Sequence, residues 1–317
     1  MDNLVAALRA AGHRVELVRL PTAWDRTRIF DAALAWRLVP LDAHLVIATN
    51  FPSYFVRHPN KVVWLFHQHR PFYDAAGAPW SDIGDDDESR EAQRLLATWD
   101  ARALGEAVRL FATSGVVAAR LARFCGLVAE PLPHPPPLHD ALHPGPFGDE
   151  VFCATRLEAN KRPELMIDAF AHVRAPVRLG IAGHGSLAER LRARVAEAGL
   201  EDRVELAGYV DDAELVDRFA RALAVLYVPH DEDYGYVTLQ AFRAGKPVIT
   251  TEDAGGVLEW VEDGVTGLVT DGTPAGIAEA VERLAADRDL ARKLGDAGAE
   301  RVAGLSWAPV VERLLGT

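Results

Sequence analysis

Residues 150–183 read EVFCATRLEANKRPELMIDAFAHVRAPVRLGIAG. An apolar run, Glu150 to Thr155, leads through a polar loop into a helical segment, Pro163 to His172, and a second apolar run, Val177 to Gly183, follows. Strands buried on both faces read as near-continuous apolar runs, and a helix between two of them makes a parallel crossover. The alternation continues with helix Leu187 to Ala198, strand Arg203 to Ala207, helix Ala213 to Ala222, strand Leu223 to Val228, helix Val237 to Ala244 and strand Pro247 to Thr250. Short connections between such elements predict a doubly wound α/β domain. Helices follow at Ala275 to Leu284 and Leu290 to Val302. A last apolar helix, Trp307 to Leu315, needs a surface to bury it and is expected to return to the N-terminal half.

Upstream, seven prolines lie between Pro131 and Pro146, a density that forbids regular helix or central strand and marks a domain crossing. The expected domains are 1–143 and 144–317, with 304–317 returning to the first; 317 residues suit two α/β domains. Met1, Leu4, Val5 and Leu8 follow helical spacing and stop before Gly12. Strands are predicted at Val15 to Leu20, Leu45 to Thr49, Val62 to Phe66 and Leu110 to Thr113. Asp82 to Ser89 is read as an exposed acidic loop before a helix over Arg90 to Ala107.

A net charge of -12 without a basic run argues against a nucleic-acid partner, since phosphate binding needs a Lys/Arg stripe. The two cysteines, Cys125 and Cys153, fall in different expected domains, so no disulfide framework is expected. With no uninterrupted apolar stretch of membrane-spanning length and no leader pattern, the expected compartment is the cytoplasm.

Two loops carry candidate chemistry. Arg156 and Lys161 stand where the first strand of the second domain ends, and ligands in open α/β sheets bind at the carboxyl ends of strands. Two cations there can hold a pyrophosphate and stabilise the charge that grows on it as a leaving group. Between strand Leu223 to Val228 and its helix, Gly235 allows backbone N–H groups to approach a phosphate or sugar oxygen. Glu232 and Gln240 flank it as acceptors for hydroxyls. Each feature also has a plain structural reading: a solvated turn, a carboxylate at a helix start, and a tight turn at Gly183-His184-Gly185. His134, His139 and His143 sit in the proline-rich segment and are read as incidental, with no metal site expected.

The order Arg156, Lys161, Gly183-x-Gly185, Gly208-Tyr209-Val210, Glu232-x-x-Gly235, Ala244-Gly245-x-Pro247-Val248-Ile249, Gly255-Gly256-x-x-Glu259 and Asp263-Gly264-x-x-Gly267 resembles the family 4 retaining glycosyltransferases of the GT-B fold. The resemblance covers the whole C-terminal domain and, less specifically, Leu4 to Leu20, the His67 loop and Thr113-Ser114 through Pro135-Pro136. It implies two Rossmann-like, doubly wound parallel-sheet domains facing across a cleft, with a nucleotide-diphosphate sugar as donor. Arg156 and Lys161 would bind the diphosphate, and the backbone at Gly235, Tyr236 and Val237 its distal phosphate and sugar. Glu232 would contact the sugar, Gly183 would belong to the donor loop, and the Val210 backbone would meet the base. The second glutamate of the family's Glu-x7-Glu pair is Gln240 here, which implies weaker or altered ribose binding.

A histidine near the transferred sugar is implied within Phe66-His67-Gln68-His69; spacing leaves His67 and His69 both open, with His67 favoured because it directly follows the strand. Transfer would proceed with retention, the departing diphosphate helping to deprotonate the acceptor, so no carboxylate nucleophile pair, metal or cofactor is implied. The acceptor could be carbohydrate, lipid-linked or a small molecule. A lipid-linked one would bring the chain to a membrane surface, although no basic amphipathic helix requires it.

The family also begins with a strand and a glycine-rich turn before the first helix, which this sequence lacks. A start codon placed too late is the preferred explanation, over truncation or a natural loss of catalysis. A nucleotide-sugar-binding pseudoenzyme or regulatory subunit is therefore kept as the rival reading, with a sugar-nucleotide epimerase as a remote one. A dehydrogenase is disfavoured because no G-x-G-x-x-G turn follows a strand.

Overall fold

Near-continuous apolar runs pair as parallel strands in both halves of the computed structural model, which describes residues 1–22, 28–78, 81, 83–84 and 86–316. The chain divides into two units, Met1–His134 with Ser306–Thr317, and Pro135–Leu305.

The first unit contains α1 (Asp2–Ala10), α2 (Ile29–Arg37), β1 (Val46–Asn50), β2 (Lys61–His67), α3 (Asp87–Gly105), β3 (Arg109–Ala112), α4 (Gly115–Cys125) and β4 (Glu130–Pro131). Its four strands are parallel and ordered β1-β2-β3-β4. Alternation along β2 sorts the core into two layers. Val63 and Leu65 pack with Ile29, Ala33, Phe51, Leu96, Leu104 and Leu121 on one face. Val62 and Trp64 pack with Leu4, Leu8 and Phe111 on the other. Val62, Val63, Trp64 and Leu65 are all fully buried, each contributing about 1.5–3 kcal/mol by leaving water.

The predicted strand Val15 to Leu20 is not one. Val18 and Leu20 do face the α2 side of the core and Val15 the α1 side, so the period-2 pattern is real. A strand also needs a neighbour's ladder, and among the described residues no strand lies beside this run to supply it. The acidic stretch ends sooner than predicted: the Asp86 side chain accepts from Ser89 N at 2.8 Å, and Asp87 and Glu88 form the first turn of α3, where negative charge suits the helix N-terminus. Asp82 and Asp85 lie outside the described residues.

The second unit contains β5 (Glu150–Ala154), α5 (Pro163–Phe170), β6 (Arg178–Ala182), α6 (Ala188–Glu197), β7 (Val204–Gly208), α7 (Asp212–Arg221), β8 (Ala224–Leu226), α8 (Tyr236–Arg243), β9 (Val248–Thr251), β10 (Gly267–Thr270), α9 (Pro274–Ala286) and α10 (Arg288–Val302). All six strands are parallel, in the order β10-β9-β8-β5-β6-β7. Counted from β5 this is the doubly wound order 3-2-1-4-5-6 reversed, and strand order switches direction between β5 and β8. In open sheets of this kind, the crevice at the carboxyl ends of the two strands that flank the switch is where ligands bind.

The division at His134 falls nine residues before the expected 143, and packing explains it. Leu138 and Leu142 join the second unit's core. Gln240 Nε2 donates to Pro137 O at 3.3 Å, and Lys246 Nζ to Gly145 O at 2.8 Å and Pro146 O at 3.3 Å. The final helix, α11 (Trp307–Leu315), packs in the first unit: Val310, Val311 and Leu314 meet Leu4, Leu8, Trp64 and Phe111. Arg109 closes its end, donating to Leu314 O and Leu315 O at 3.1 and 3.0 Å. Among the described residues no helix is long and apolar enough to cross a membrane.

Candidate functional site

The crevice at the β5/β8 switch holds a carboxylate and a cation in contact. After β5 the chain turns through a 3₁₀ segment, Ala159–Lys161, and the Lys161 ammonium bonds the Glu232 carboxylate from the loop after β8. The Tyr227 hydroxyl donates to the same Glu232 oxygen at 2.7 Å, and Asp233 N donates to the other at 3.3 Å. Burial works against ionisation of Glu232. The Lys161 charge and the hydrogen bonds from Lys161, Tyr227 and the Asp233 N–H outweigh it and hold the carboxyl below its ordinary value. Burial, then the Glu232 charge, pushes the Tyr227 phenol well up, so it remains a donor. In the sequence Tyr227 reads as one more apolar residue of a buried strand, and only the fold brings its hydroxyl to Glu232.

Backbone contact fixes the Glu232 loop. Glu232 N donates to Ala254 O at 3.1 Å and Gly256 N to Glu232 O at 2.6 Å. A Cβ on Gly255 would stand 2.7 Å from Glu232 N, and one on Gly256 2.6 Å from Asp233 O. The Gly255-Gly256 pair is thus required by close backbone approach, Gly255 also at φ 61°.

Arg156 is exposed, two residues beyond the end of β5, and has no side-chain hydrogen bond or ion pair among the described residues. Its loop is locked to the one after β6. Leu157 N donates to His184 O at 2.9 Å, and the Glu158 carboxylate accepts from Ser186 N at 2.9 Å and Ser186 Oγ at 2.6 Å. The Gly183 N–H is spent on Gly208 O at 2.7 Å, and a Cβ there would lie 1.8 Å from Thr155 O. Gly183 is therefore a packing glycine that lets two loops touch, and its own N–H does not face a ligand. Val210 is half-buried after Gly208, whose φ is 68°, and the intervening Tyr209 is exposed.

Gly235, at φ 81°, is the N-cap of α8, which carries no side-chain cap; Tyr236 is half-buried and Val237 buried. Gln240 is buried on the same helix, and its amide donation to Pro137 O is one that a glutamate could not make. The departure from the Glu-x7-Glu pattern is matched to that carbonyl.

In the first unit the two histidines part. His67 ends β2, half-buried, paired in register with Asn50 at the end of β1, its Nδ1 3.1 Å from Gln68 O. The His69 ring instead lies between Phe51 and Phe72, with centroids 5.5 and 5.4 Å away. Gln68, between them, points inward: its Nε2 donates to Asp100 Oδ2 and Cys125 Sγ, both at 3.3 Å. Asp100 also accepts from Tyr73 at 2.5 Å, and burial pushes its carboxyl up to about 7.

His134 is a core residue packed against Trp64, Phe66 and Trp307, and burial pushes its ring down to about 3. His139 lies 3.2 Å from Asp140. Among the described residues no group of three His, Cys, Asp or Glu is placed to hold a metal ion. Both cysteines are free, and burial raises each thiol.

Residues 148–301, which span this crevice, match the glycosyl transferases group 1 family. They form a glycosyl transferases group 1 domain. The chain is 32% identical over 168 residues to a D-inositol 3-phosphate glycosyltransferase of Streptomyces bingchenggensis, covering 49% of this chain and 36% of that protein. It is 35% identical over 176 residues to a GDP-mannose-dependent alpha-(1-6)-phosphatidylinositol monomannoside mannosyltransferase of Mycobacterium tuberculosis, covering 52% of this chain and 46% of that one. The chain thus spans less than half the length of the curated relatives it matches. The fold is also that of Anabaena HepE, solved in complex with UDP-glucose: TM-score 0.68, 18% identity, covering 92% of this chain and 76% of HepE. Among the described residues only the second unit's sheet is doubly wound, since the first unit's strands run in the sequential order β1-β2-β3-β4; the two parallel-sheet α/β units are those of the GT-B fold.

Proposed function

We propose that the protein transfers a sugar from a nucleoside-diphosphate sugar to an acceptor hydroxyl, with retention of configuration. The observation that carries the reading is the Lys161–Glu232 contact beside the exposed Arg156, at the switch point of a glycosyl transferases group 1 domain. Arg156 and Lys161 take the diphosphate and neutralise the charge it gains on leaving. Lys161 exchanges part of its bond to Glu232 for phosphate oxygens, and the ionised Glu232 then accepts from sugar hydroxyls. Backbone at Gly235, Tyr236 and Val237 meets the distal phosphate, where the N-terminal end of α8 favours negative charge. Val210 borders the base, and Gln240 reaches the ribose with the oxygen its Pro137 bond leaves available.

His67, at a strand end, serves the transferred sugar in preference to the packed His69. Neither a metal nor a cofactor enters this scheme, because the two cations supply the neutralisation. Free Cys125 and Cys153 suit a reducing cytoplasmic setting. The relatives' names make GDP-mannose and an inositol-type acceptor the first compounds to try, and HepE adds UDP-glucose.

The test is proton NMR of the protein with GDP-mannose or UDP-glucose, following the sugar released or transferred. Product of the donor's own anomeric configuration in the first spectra supports retention, and the opposite anomer rejects it. Binding with no turnover would favour the second reading, a nucleotide-sugar-binding subunit without transfer, to which the Gln240 departure points.

A further inference from the structure

We infer that Arg162 is a positioning residue that sets the separation of Lys161 from Glu232, and with it the match between the diphosphate and sugar halves of a donor. This rests on the donor-site reading above. Arg162 stands at φ 50°, a left-handed conformation that costs a non-glycine residue of order 1 kcal/mol. Its side chain reaches the loops after two further strands. Nε donates to Val228 O at 2.7 Å, and Nη2 to Pro229 O at 2.8 Å and Thr251 Oγ1 at 2.7 Å. Asp253 closes a two-pronged pair, Nη1 to Oδ2 at 2.8 Å and Nη2 to Oδ1 at 2.7 Å. β5, β8 and β9 are sheet neighbours spaced by about 4.8 Å each, so these bonds tie three adjacent strand ends together. The reach and the planar fork are properties of arginine that a lysine does not share.

The residues so fastened bracket the site. His230 N donates to Asn160 O at 2.9 Å, so Asn160 and Arg162, on either side of Lys161, both grip the loop that delivers Glu232. Asp231 N donates to Asp253 O at 2.8 Å, immediately before Glu232. Thr251 Oγ1 donates to Asp253 Oδ1 at 2.7 Å, and His230 Nδ1 lies 3.2 Å from Oδ2. Partial burial opposes ionisation of Asp253, but the Arg162 and Thr251 hydrogen bonds hold its carboxyl well below the usual range. A donor joins its phosphates to its sugar covalently, so it can use Lys161 and Glu232 together only at one spacing.

The experiment compares calorimetric affinities of UDP and GDP with those of UDP-glucose and GDP-mannose, in the full chain and in Arg162→Gly, Arg162→Lys and Asp253→Asn. Glycine removes the guanidinium while accepting the positive φ. The positioning role predicts that sugar-conjugate affinity falls about tenfold in Arg162→Gly while nucleoside-diphosphate affinity changes by less than about threefold. Lysine should not restore the ratio, and Asp253→Asn should lower it in the same sense. A general loosening would weaken both ligand types alike, and equal losses, or an unchanged ratio, overturn the inference while leaving the donor site standing. Should Arg162→Gly not fold, Asp253→Asn carries the same comparison. Absence of any binding by the unaltered chain removes the donor reading, and this inference with it.

Discussion

Replacing Lys161 with methionine isolates the contact on which the site is built. Lys161 and Glu232 side chains are 10% and 16% exposed, so the pair is largely withdrawn from water. Removing one partner of a buried pair costs about 3–5 kcal/mol, because the other charge is left behind. Here Tyr227 O–H and Asp233 N–H stay on the carboxylate, so the lower end applies, about 3 kcal/mol at neutral pH. The pH dependence gives the sharper test. In the native protein Glu232 is held below the unfolded value of about 4.3, so its stabilisation is present above that pH and lost as pH falls through the folded value. Without Lys161, burial dominates and the shift reverses; the carboxyl then contributes stability at low pH, lost as pH rises through its raised folded value. The difference in urea stability between the two proteins should therefore be largest near neutrality and shrink on acidification. The double variant Lys161→Met/Glu232→Gln should recover most of the loss at neutral pH. A difference below about 1 kcal/mol, or one independent of pH, would refute the buried-pair argument.

Other consequences can be checked by the same means. Tyr227→Phe removes a hydrogen bond to a charged group and should cost about 2 kcal/mol in denaturant melts. Gln240→Glu sets a carboxylate against Pro137 O in place of a donor, and thermal shift should show a loss of about 1–3 kcal/mol at neutral pH. Asp100, raised to about 7, favours the fold below its unfolded value of about 3.9 and loses that contribution as pH rises through 7. Asp100→Asn should flatten this, gaining at least about 1 kcal/mol relative to the native chain between pH 5 and 8 in urea melts.

The second unit is legible from β5 to β9, where apolar runs alternate with helices and periodicity and topology point the same way; β10 is not, because a short 3₁₀ turn, Gly256–Glu259, stands before it in place of a crossover helix. The first unit is less so. Val15 to Leu20 has a strand's pattern, but a ladder partner is a tertiary fact that no local pattern contains. β4 is two exposed residues, too short to leave a signal. α4 does carry one: Ser114 as N-cap, Val117 and Leu121 four apart, and Gly126 past the end. The boundary lies earlier than the prolines suggest because proline density marks where regular structure stops, whereas Leu138 and Leu142 decide which core the segment joins.

At the site, Arg156, Lys161 and Glu232 could be picked from their places at strand ends. Arg162, Tyr227 and Asp253 could not: each acts through contacts with residues far along the chain, such as the 91-residue separation of Arg162 and Asp253. Equal spacing hid the difference between His67 and His69: β2 ends at His67, whereas His69 leads into the 3₁₀ turn Arg70–Phe72, and where a strand ends is not written in the spacing.

The central claim is that Arg156 and Lys161 form a nucleotide-sugar site, and calorimetric titration of UDP, GDP, ADP and their sugar conjugates tests it most directly. The account predicts that one nucleotide series binds the unaltered chain and that binding disappears in a folded Arg156→Ala/Lys161→Ala double variant. Equal binding by both proteins, or binding by neither, would contradict it.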